Sequence, residues 1–158
     1  MLVRDLMSMP VITIRSNLDY KTALALMQEN SLHHLPVVES DGEISGMAAE
    51  RDLLIAAARF LQSPVEVGDV MHRGVVAVTP DTTAARAARL LVGQRIGSLP
   101  VVDGAGRVIG IVTETDFLKA FAQMAGGVNP GLQRTIPGAQ RRALSYWERR
   151  PRRSASRS

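Results

Sequence analysis

The chain has 158 residues and a net charge of +4, and its length suits one compact domain. Because 46% of its residues are hydrophobic but only 4% are aromatic, we expect an aliphatic core. Without cysteine it has no disulfide, no thiolate nucleophile and no cysteine-based metal site, which fits a reducing compartment. The N-terminus lacks the apolar run of a cleaved signal peptide. The apolar stretch at 53–61 is shorter than the ~20 apolar residues of a membrane span. We therefore expect a cytoplasmic protein.

A unit of about 55 residues occurs twice, and this repeat determines most of the interpretation. Residues 3–57 align with residues 67–121 at an offset of 64 positions, without a gap and with 16 identities over 55 positions. Each copy is too small to bury enough apolar surface alone. We therefore expect the two copies to pack together as one body with pseudo-twofold symmetry.

Each copy predicts the element order β-α-β-β-α, which is an α+β fold. A short turn (Val3–Met7 or Val67–Met71) precedes a β-branched strand, and a capping signal at 16–17 or 79–82 precedes a helix. A second strand, a glycine turn and a third strand predict a hairpin, and a second helix follows from Glu50 to about Gln62, or from Glu114 to Met124. The strands are predicted at Val11–Ile14, Leu35–Val38 and Ile44–Ala48, and at Val75–Val78, Leu99–Val102 and Val108–Val112.

The charge is divided unevenly along the chain. Residues 1–133 have a net charge of −3, whereas residues 134–158 hold eight arginines and one acid. We predict a first repeat at 1–62, a linker at 63–66, a second repeat at 67–126 and a disordered, arginine-rich tail at 127–158. The tail could solubilise the protein or dock a partner, or it could contact the phosphates of nucleic acid or of an anionic membrane surface.

Three motifs recur in order in both copies: a Val-x-Asp-Val/Leu-Met turn, a Leu-Pro-Val-Val strand, and a glycine-led strand that ends in an acidic helix start, as in Gly110–Asp116. With these motifs, residues 1–125 resemble a tandem pair of CBS domains, also called a Bateman module. The resemblance implies that the copies pack through their sheets and leave two clefts, which often hold adenine nucleotides. It also implies a regulatory role and a dimer of two modules.

The segment Gly110–Asp116 is the strongest candidate for a ligand site. It ends at a helix start, where unpaired N–H groups favour a phosphate, and the hydroxyl of Thr113 can donate to a phosphate oxygen. Asp116 could accept the ribose hydroxyls, as acidic residues do in dinucleotide-binding folds. The alternative is structural: Thr113 caps the helix and Asp116 stabilises its dipole.

The first copy departs from this pattern. It keeps a carboxylate at Asp52 but has Ala49 in place of the threonine, and the lost hydrogen bond to a phosphate is worth roughly 1.5–3 kcal/mol. Arg51 could compensate by meeting the phosphate directly, or it could point into solvent. We therefore expect two unequal clefts.

His33 and His34 precede the strand of the first copy, where the second copy has Gly97 and Ser98. In proteins of the resembling family this segment faces the nucleotide phosphates, and an imidazolium there would strengthen binding at lower pH. The alternative is that one histidine packs at the strand start and the other is solvated. Adjacent histidines on a strand point to opposite faces and no third ligand is evident, so we expect no metal site.

The two leading strands are expected to line an adenine slot through Val11 and Thr13 in one copy and through Val75 and Val78 in the other. They could equally be plain core. Pro36 and Pro100 are expected to shape the strand starts beside the clefts. From the family pattern, one cleft joins Thr13 to Ser98, Thr113 and Asp116, and the other joins Val75 to His34, Arg51 and Asp52.

No nucleophile paired with a base, no Walker loop and no catalytic motif stands out, so we expect no enzyme activity. The first hypothesis is a sensor that binds AMP, ADP or ATP, with S-adenosylmethionine or NAD as further candidates, and that signals to a protein partner by a change of shape or dimer state. The second is a ligand-free adaptor that dimerises through its second helices. Nucleic acid is expected as a partner only through the tail.

Overall fold

The computed structural model describes residues 1–59 and 64–126. The predicted end of the second helix and start of the linker (60–63) and the predicted tail (127–158) lie outside this part of the chain. The described elements confirm a mixed α+β chain built from two similar halves. In order they are a 3-10 helix (Val3–Asp5), α1 (Tyr20–Glu29), β1 (His34–Val38), β2 (Ile44–Ala49), α2 (Glu50–Arg59), α3 (Val67–Val70), α4 (Ala84–Gln94), β3 (Ser98–Val102), β4 (Val108–Thr113) and α5 (Glu114–Met124).

Both predicted hairpins are confirmed. Strand β1 pairs antiparallel with β2, and β3 pairs in the same way with β4, each with a register shift before the last residue of the first strand. The turns place Gly42 and Gly106 at φ +88° and φ +78°, a region that residues with a side chain rarely adopt. The repeat in the sequence is therefore a repeat in backbone geometry as well.

The two leading strands are much shorter than predicted. In the first copy only Ile14 pairs with β1: its N–H donates to the carbonyl of Pro36, and its carbonyl accepts from the N–H of Val38. The next backbone hydrogen bond between these two segments would need an N–H on Pro36, which a proline does not have. The same arrangement joins Val78 to β3 beside Pro100, so each ladder stops after one residue.

The first helix of each copy begins later than predicted. Helix α1 is capped by Asp19, whose carboxylate accepts from the N–H groups of Lys21 at 2.9 Å and Thr22 at 3.4 Å. Helix α4 is capped by Thr83, while Thr82 closes the preceding turn by accepting from the N–H of Thr79. The predicted caps at 16–17 and 79–82 were wrong because several residues here can accept from a backbone N–H, and the sequence does not show which one does.

Each copy inserts its leading turn into the core of the other copy. Val3 is buried in the cluster formed by the second copy with Ala87, Leu99 and Val101, and Val67 is buried in the cluster formed by the first copy. This exchange joins the two halves into one packed body. The first cluster contains Ile14, Tyr20, Ala23, Met27, Leu35, Val37, Ala48, Leu53, Ala56, Val65, Val67 and Met71.

The segment after each turn then crosses the hairpin of the other copy. Ser8 exchanges two backbone hydrogen bonds with Ile111 of β4, and His72 exchanges two with Met47 of β2. These crossings bring the start of one copy beside the second helix of the other. The clefts described below lie at these two crossings.

Candidate functional site

The larger of two clefts lies where the leading segment of the first copy crosses the start of α5. We call this cavity of about 520 Å³ the Asp116 cleft. It is lined by the leading segment of the first copy, by the segment between α1 and β1, and by the first turns of α5. Its lining residues include Pro10, Val11, Ile12, Ser31, His33, His34, Gly97, Thr113, Glu114, Asp116 and Lys119.

Thr113 and Asp116 are bound to each other at the edge of this cleft. One carboxylate oxygen of Asp116, Oδ2, accepts from the backbone N–H of Thr113 at 2.8 Å and from its hydroxyl at 2.7 Å. Thr113 and Asp116 therefore cap the start of α5, which is the structural alternative that the sequence left open. Both side chains also face the cavity, and among the described residues the second oxygen, Oδ1, accepts no hydrogen bond. The two roles are therefore compatible.

Lys119 lies at the same cleft, although no motif in the sequence indicated it as a site residue. It follows Asp116 by three positions on α5, so the two side chains lie on one face of the helix. That spacing was a signal that could have found it. A cation here gives the cleft a partner for a phosphate beside a carboxylate.

The second cleft lies at the other crossing. We call this cavity of about 340 Å³ the Arg95 cleft. Four of its lining residues can carry a positive charge. The full lining is His34, Met47, Ala49, His72, Arg73, Gly74, Val75, Val76, Gln94, Arg95, Ile96, Gly97 and Ser98. Val75 and His34 were predicted to lie at this cleft, whereas His72, Arg73 and Arg95 were not.

The wall between the two clefts is formed by His34 and Gly97, which line both. A Cβ on Gly97 would lie 3.2 Å from Cε1 of His34, so the glycine gives the imidazole its space. Burial of the imidazole, and then the charge of His33, lower the pKa of His34. His33 is exposed, and its Nδ1 pairs with the carboxylate of Glu50 at 2.7 Å.

Asp52 and Arg51 lie outside the Arg95 cleft, unlike the grouping expected from the family pattern. Asp52 pairs with Nε2 of His72 at 2.7 Å and faces a third cavity, of about 210 Å³, together with Ile55 and Arg59. His72 occupies the position between Asp52 and the Arg95 cleft because its segment crosses β2. Arg51 is exposed and lines none of these three cavities.

The remaining predicted residues divide between core and cleft. Pro36, Pro100 and Val78 are buried and line none of the three cavities, and neither does the half-buried Thr13. Ser98 is buried and lines the Arg95 cleft, whereas the sequence had grouped it with Asp116. The grouping differs because Ser98 lies on the Arg95 side of the wall formed by His34 and Gly97.

Within residues 1–59 and 64–126, no helix is long and apolar enough to cross a membrane. The same ranges contain no group of three or more histidine or acidic residues arranged to hold a metal ion.

Comparison with known proteins agrees with the repeat and the fold. The family model described as CBS domain matches residues 3–59 and again residues 67–123. A curated CBS domain-containing protein of Dictyostelium discoideum is 34% identical over 140 residues, which cover 82% of this chain and 97% of that protein. The L-aspartate semialdehyde sulfurtransferases of Methanocaldococcus jannaschii and Methanosarcina acetivorans are 32% and 33% identical, but the match spans only 23% and 24% of their length.

Two solved structures of CBS pairs are similar along most of the described chain. The CBS domain pair of protein MJ0100, solved with 5'-methylthioadenosine and S-adenosyl-L-methionine, has a TM-score of 0.73 and 31% identity, and the match covers 78% of this chain and 98% of that one. The protein CBSX2 of Arabidopsis thaliana, solved with AMP, has a TM-score of 0.70 and 30% identity with the same coverage. The chain therefore belongs to the CBS-domain family and carries two CBS domains in tandem.

Proposed function

We propose that this protein binds an adenine-containing nucleotide in the Asp116 cleft and reports the bound state to a protein partner through a change of conformation or oligomeric state. AMP, ADP and ATP are the first candidates, followed by S-adenosylmethionine and NAD. The proposed role is regulatory binding and not catalysis. A ligand can act in this way only if it binds one conformation better than the other.

The observation that carries this proposal is the position of Asp116. Its Oδ2 is held by Thr113, which fixes the carboxylate, and its Oδ1 is available to accept a ribose hydroxyl at the edge of a cavity of about 520 Å³. Val11 and Ile12 line the same cavity and offer apolar surface for a base. Lys119 offers a cation for a phosphate, so the cleft has one suitable group for each part of a nucleotide.

The similar structures support the same ligand class. Of the two CBS pairs compared above, one was solved with 5'-methylthioadenosine and S-adenosyl-L-methionine and the other with AMP. Adenosine is common to all three ligands. We therefore expect the adenosine part to determine where the ligand binds and the remaining part to determine which ligand is preferred.

Calorimetric titration with the five candidate ligands tests the proposal. Asp116→Asn removes the charged acceptor with little change of shape, and we expect affinity to fall about 10- to 100-fold because hydrogen bonds to charged groups are worth roughly 1.5–3 kcal/mol. Asp69→Asn is the matched control. Its carboxylate accepts from the N–H of Glu66 at 3.0 Å in the same i to i−3 arrangement, but it lines none of the three cavities.

Two outcomes would reject the proposal. The first is a folded protein that binds none of the five ligands at millimolar concentration. The second is an equal loss of affinity in Asp69→Asn and Asp116→Asn, because the loss would then come from helix capping and not from the cleft.

A second candidate function, a dimeric adaptor, rests on the exposed apolar face of the second helices. Leu118, Phe121 and Met124 of α5 are each about two-thirds exposed, at 66–67%, and Leu54 and Ile55 of α2 are exposed at 49% and 40%. Because α2 and α5 are equivalent in the two copies, a second molecule could cover both at once with twofold symmetry. Sedimentation of Phe121→Glu tests this: a dimer should become a monomer, and a monomeric wild type would reject it.

A further inference from the structure

Helix α5 has an apolar surface that the described part of the chain leaves uncovered. Leu118, Phe121 and Met124 follow one another at intervals of three positions and are each about two-thirds exposed, at 66–67%. We call these three residues the α5 face. None of the eleven residues of α5 is buried by the described residues. Because an isolated helix of this length is marginal in water and depends on packing, a further segment is expected to cover the face.

The equivalent helix of the first copy is packed more completely. Leu53 of α2 is fully buried, whereas Phe117, the equivalent residue of α5, is only partly buried. Phe121 itself takes the position that Ala57 has in α2, so the α5 face also carries a larger side chain. The extra apolar surface is therefore present once in each chain, on the copy that leads into the tail. A cover that is also present once in each chain matches this asymmetry.

The part of the chain outside the described residues begins where the α5 face ends. Gly126, in the left-handed conformation with φ +76°, ends the helix one residue after its cap. In the sequence that follows, residues 143–147 read Ala-Leu-Ser-Tyr-Trp and include the only tryptophan of the chain. Sixteen residues separate this segment from Gly126. A chain of that length can span up to about 55 Å, whereas α5 is only about 16 Å long, so the segment can reach the whole face.

Charge and tethering both favour the chain's own segment as the cover. Residues 1–133 have a net charge of −3, whereas residues 134–158 hold eight arginines and one acid, so the tail is attracted to the body. The segment is flanked by four of these arginines, at positions 141, 142, 149 and 150. A short tether also gives it an effective concentration in the millimolar range, well above that of a second molecule at micromolar concentration.

We propose that residues 143–147 dock on the α5 face of their own molecule, with Trp147 packed against Leu118 and Phe121. Tryptophan suits this role because it brings a large apolar area and pairs well with another aromatic ring. The flanking arginines stay in water at the rim, beside the acidic body. A dimer formed through α5 needs the same face, so the tail must leave it before such a dimer forms. This contact does not depend on the nucleotide site.

Fluorescence of the full chain tests the proposal, because Trp147 is the only tryptophan and its emission reports on this segment alone. We expect the emission maximum at a shorter wavelength than in the chain unfolded in urea. Quenching by acrylamide should be weaker by about 2-fold or more, because a docked indole loses most of its exposed area. Emission and quenching equal to those of the unfolded chain would overturn the proposal.

A matched pair of variants locates the docking surface. Leu118 and Leu54 are equivalent in the two copies, and both are exposed, at 67% and 49%, so Leu118→Gln and Leu54→Gln should both fold. Leu118→Gln should move the emission of Trp147 towards that of the unfolded chain, and Leu54→Gln should leave it unchanged. An equal response in the two variants, or none in Leu118→Gln, would show that the α5 face is not where the tryptophan binds.

Protein concentration distinguishes the chain's own tail from that of another molecule. Docking within one molecule should give the same emission from about 1 to 100 μM protein, because the effective concentration is set by the tether. An emission shift that grows with concentration would assign the segment to another copy and contradict the proposal. So would a dimer in sedimentation whose Trp147 is quenched as in the unfolded chain, since a second copy would then cover the face.

Hydrogen exchange read by mass spectrometry gives a measurement that does not use the tryptophan signal. In Trp147→Ser, peptides from α5 should exchange faster than in the wild type, because the helix loses its cover, while peptides from α2 should not change. Unchanged exchange in α5 would mean that the segment does not protect this helix, and the proposal would be wrong.

Discussion

Two glycines at equivalent positions determine how closely each leading segment approaches the hairpin of the other copy. A Cβ on Gly46 would lie 3.0 Å from the carbonyl oxygen of His72 and closer still to the sulfur of Met71. A Cβ on Gly110 would lie 3.1 Å from the sulfur of Met7 and 3.2 Å from the carbonyl oxygen of Ser8. Absence of a side chain at these two positions therefore permits the crossings that form both clefts.

We predict that Gly46→Ala lowers the free energy of unfolding by about 1–3 kcal/mol, because the added methyl group must displace a backbone carbonyl and not only a flexible side chain. Gly93→Ala is the control: Gly93 lies within α4 with nothing within 4 Å, and alanine there should stabilise the protein by about 0.5–1 kcal/mol. Urea unfolding of both variants checks the prediction. A Gly46→Ala variant as stable as the wild type would show that the segments do not cross so closely.

His34 is a half-buried titratable residue. Burial of the imidazole lowers its pKa, and the charge of His33 adds to this effect. The carboxylates of Glu114, Asp52 and Glu50 act in the opposite direction but are outweighed. The folded protein therefore holds His34 neutral at a pH where the unfolded chain has already taken up a proton.

The sign of the pH effect follows from this difference in proton binding. As the pH falls below the ordinary histidine pKa of 6.5, the unfolded state takes up the proton before the folded state does. The free energy of unfolding therefore decreases between pH 6.5 and the lowered pKa of His34 in the folded state. Above pH 6.5, His34 does not affect the stability. We predict that His34→Gln loses less stability than the wild type between pH 7.5 and 5.5. Urea midpoints at several pH values check this, and His72→Gln should keep the dependence that comes from His34.

At the scale of elements, the sequence predicted the hairpins and second helices well and the leading strands poorly. Each hairpin has a strong local pattern, a glycine turn between two β-branched runs. This pattern depends only on residues that are close together in the sequence. The strand Val11–Ile14 has equally good local propensity. Its pairing, however, depends on a missing N–H at Pro36, which becomes relevant only once the strands are known to be neighbours.

The two clefts show the same limit for the candidate site. Thr113 and Asp116 could be found because they lie three residues apart in one motif. Arg73 and Arg95 could not, because they are far apart in the sequence and carry no motif. They line one cleft only because the leading segment of the second copy crosses the hairpin of the first.

The caps of the first helices give a prediction at this scale. Asp19→Ala removes two hydrogen bonds at the start of α1 and should cost about 0.5–2 kcal/mol of stability. Thr83→Ala removes a single bond of 3.3 Å at the start of α4 and should cost less. Urea unfolding of the two variants compares them directly. A larger loss in Thr83→Ala would mean that the number of capping hydrogen bonds does not determine the stability of these two helix starts.

At the scale of the whole molecule, the exchange of leading turns makes the two copies depend on each other. Val3 belongs to the first copy by sequence but is buried in the core of the second, and Val67 is exchanged in the opposite direction. The repeat predicted that the copies would pack together, and this was confirmed. It did not predict the exchange, because both turns are apolar and either core could accommodate either one.

The exchange predicts that damage to one core is transmitted to both copies. Val3→Ala should lower the free energy of unfolding by about 2 kcal/mol, since two buried methyl groups are lost from a fully buried site. Hydrogen exchange read by mass spectrometry should then speed up in peptides from both α1 and α4, because the two clusters unfold as one unit. Val92→Ala, at a position that is 78% exposed, should change neither helix. Faster exchange confined to α4 would mean that each core is stable alone, and a ligand in one cleft would then have no route through shared packing to the other copy.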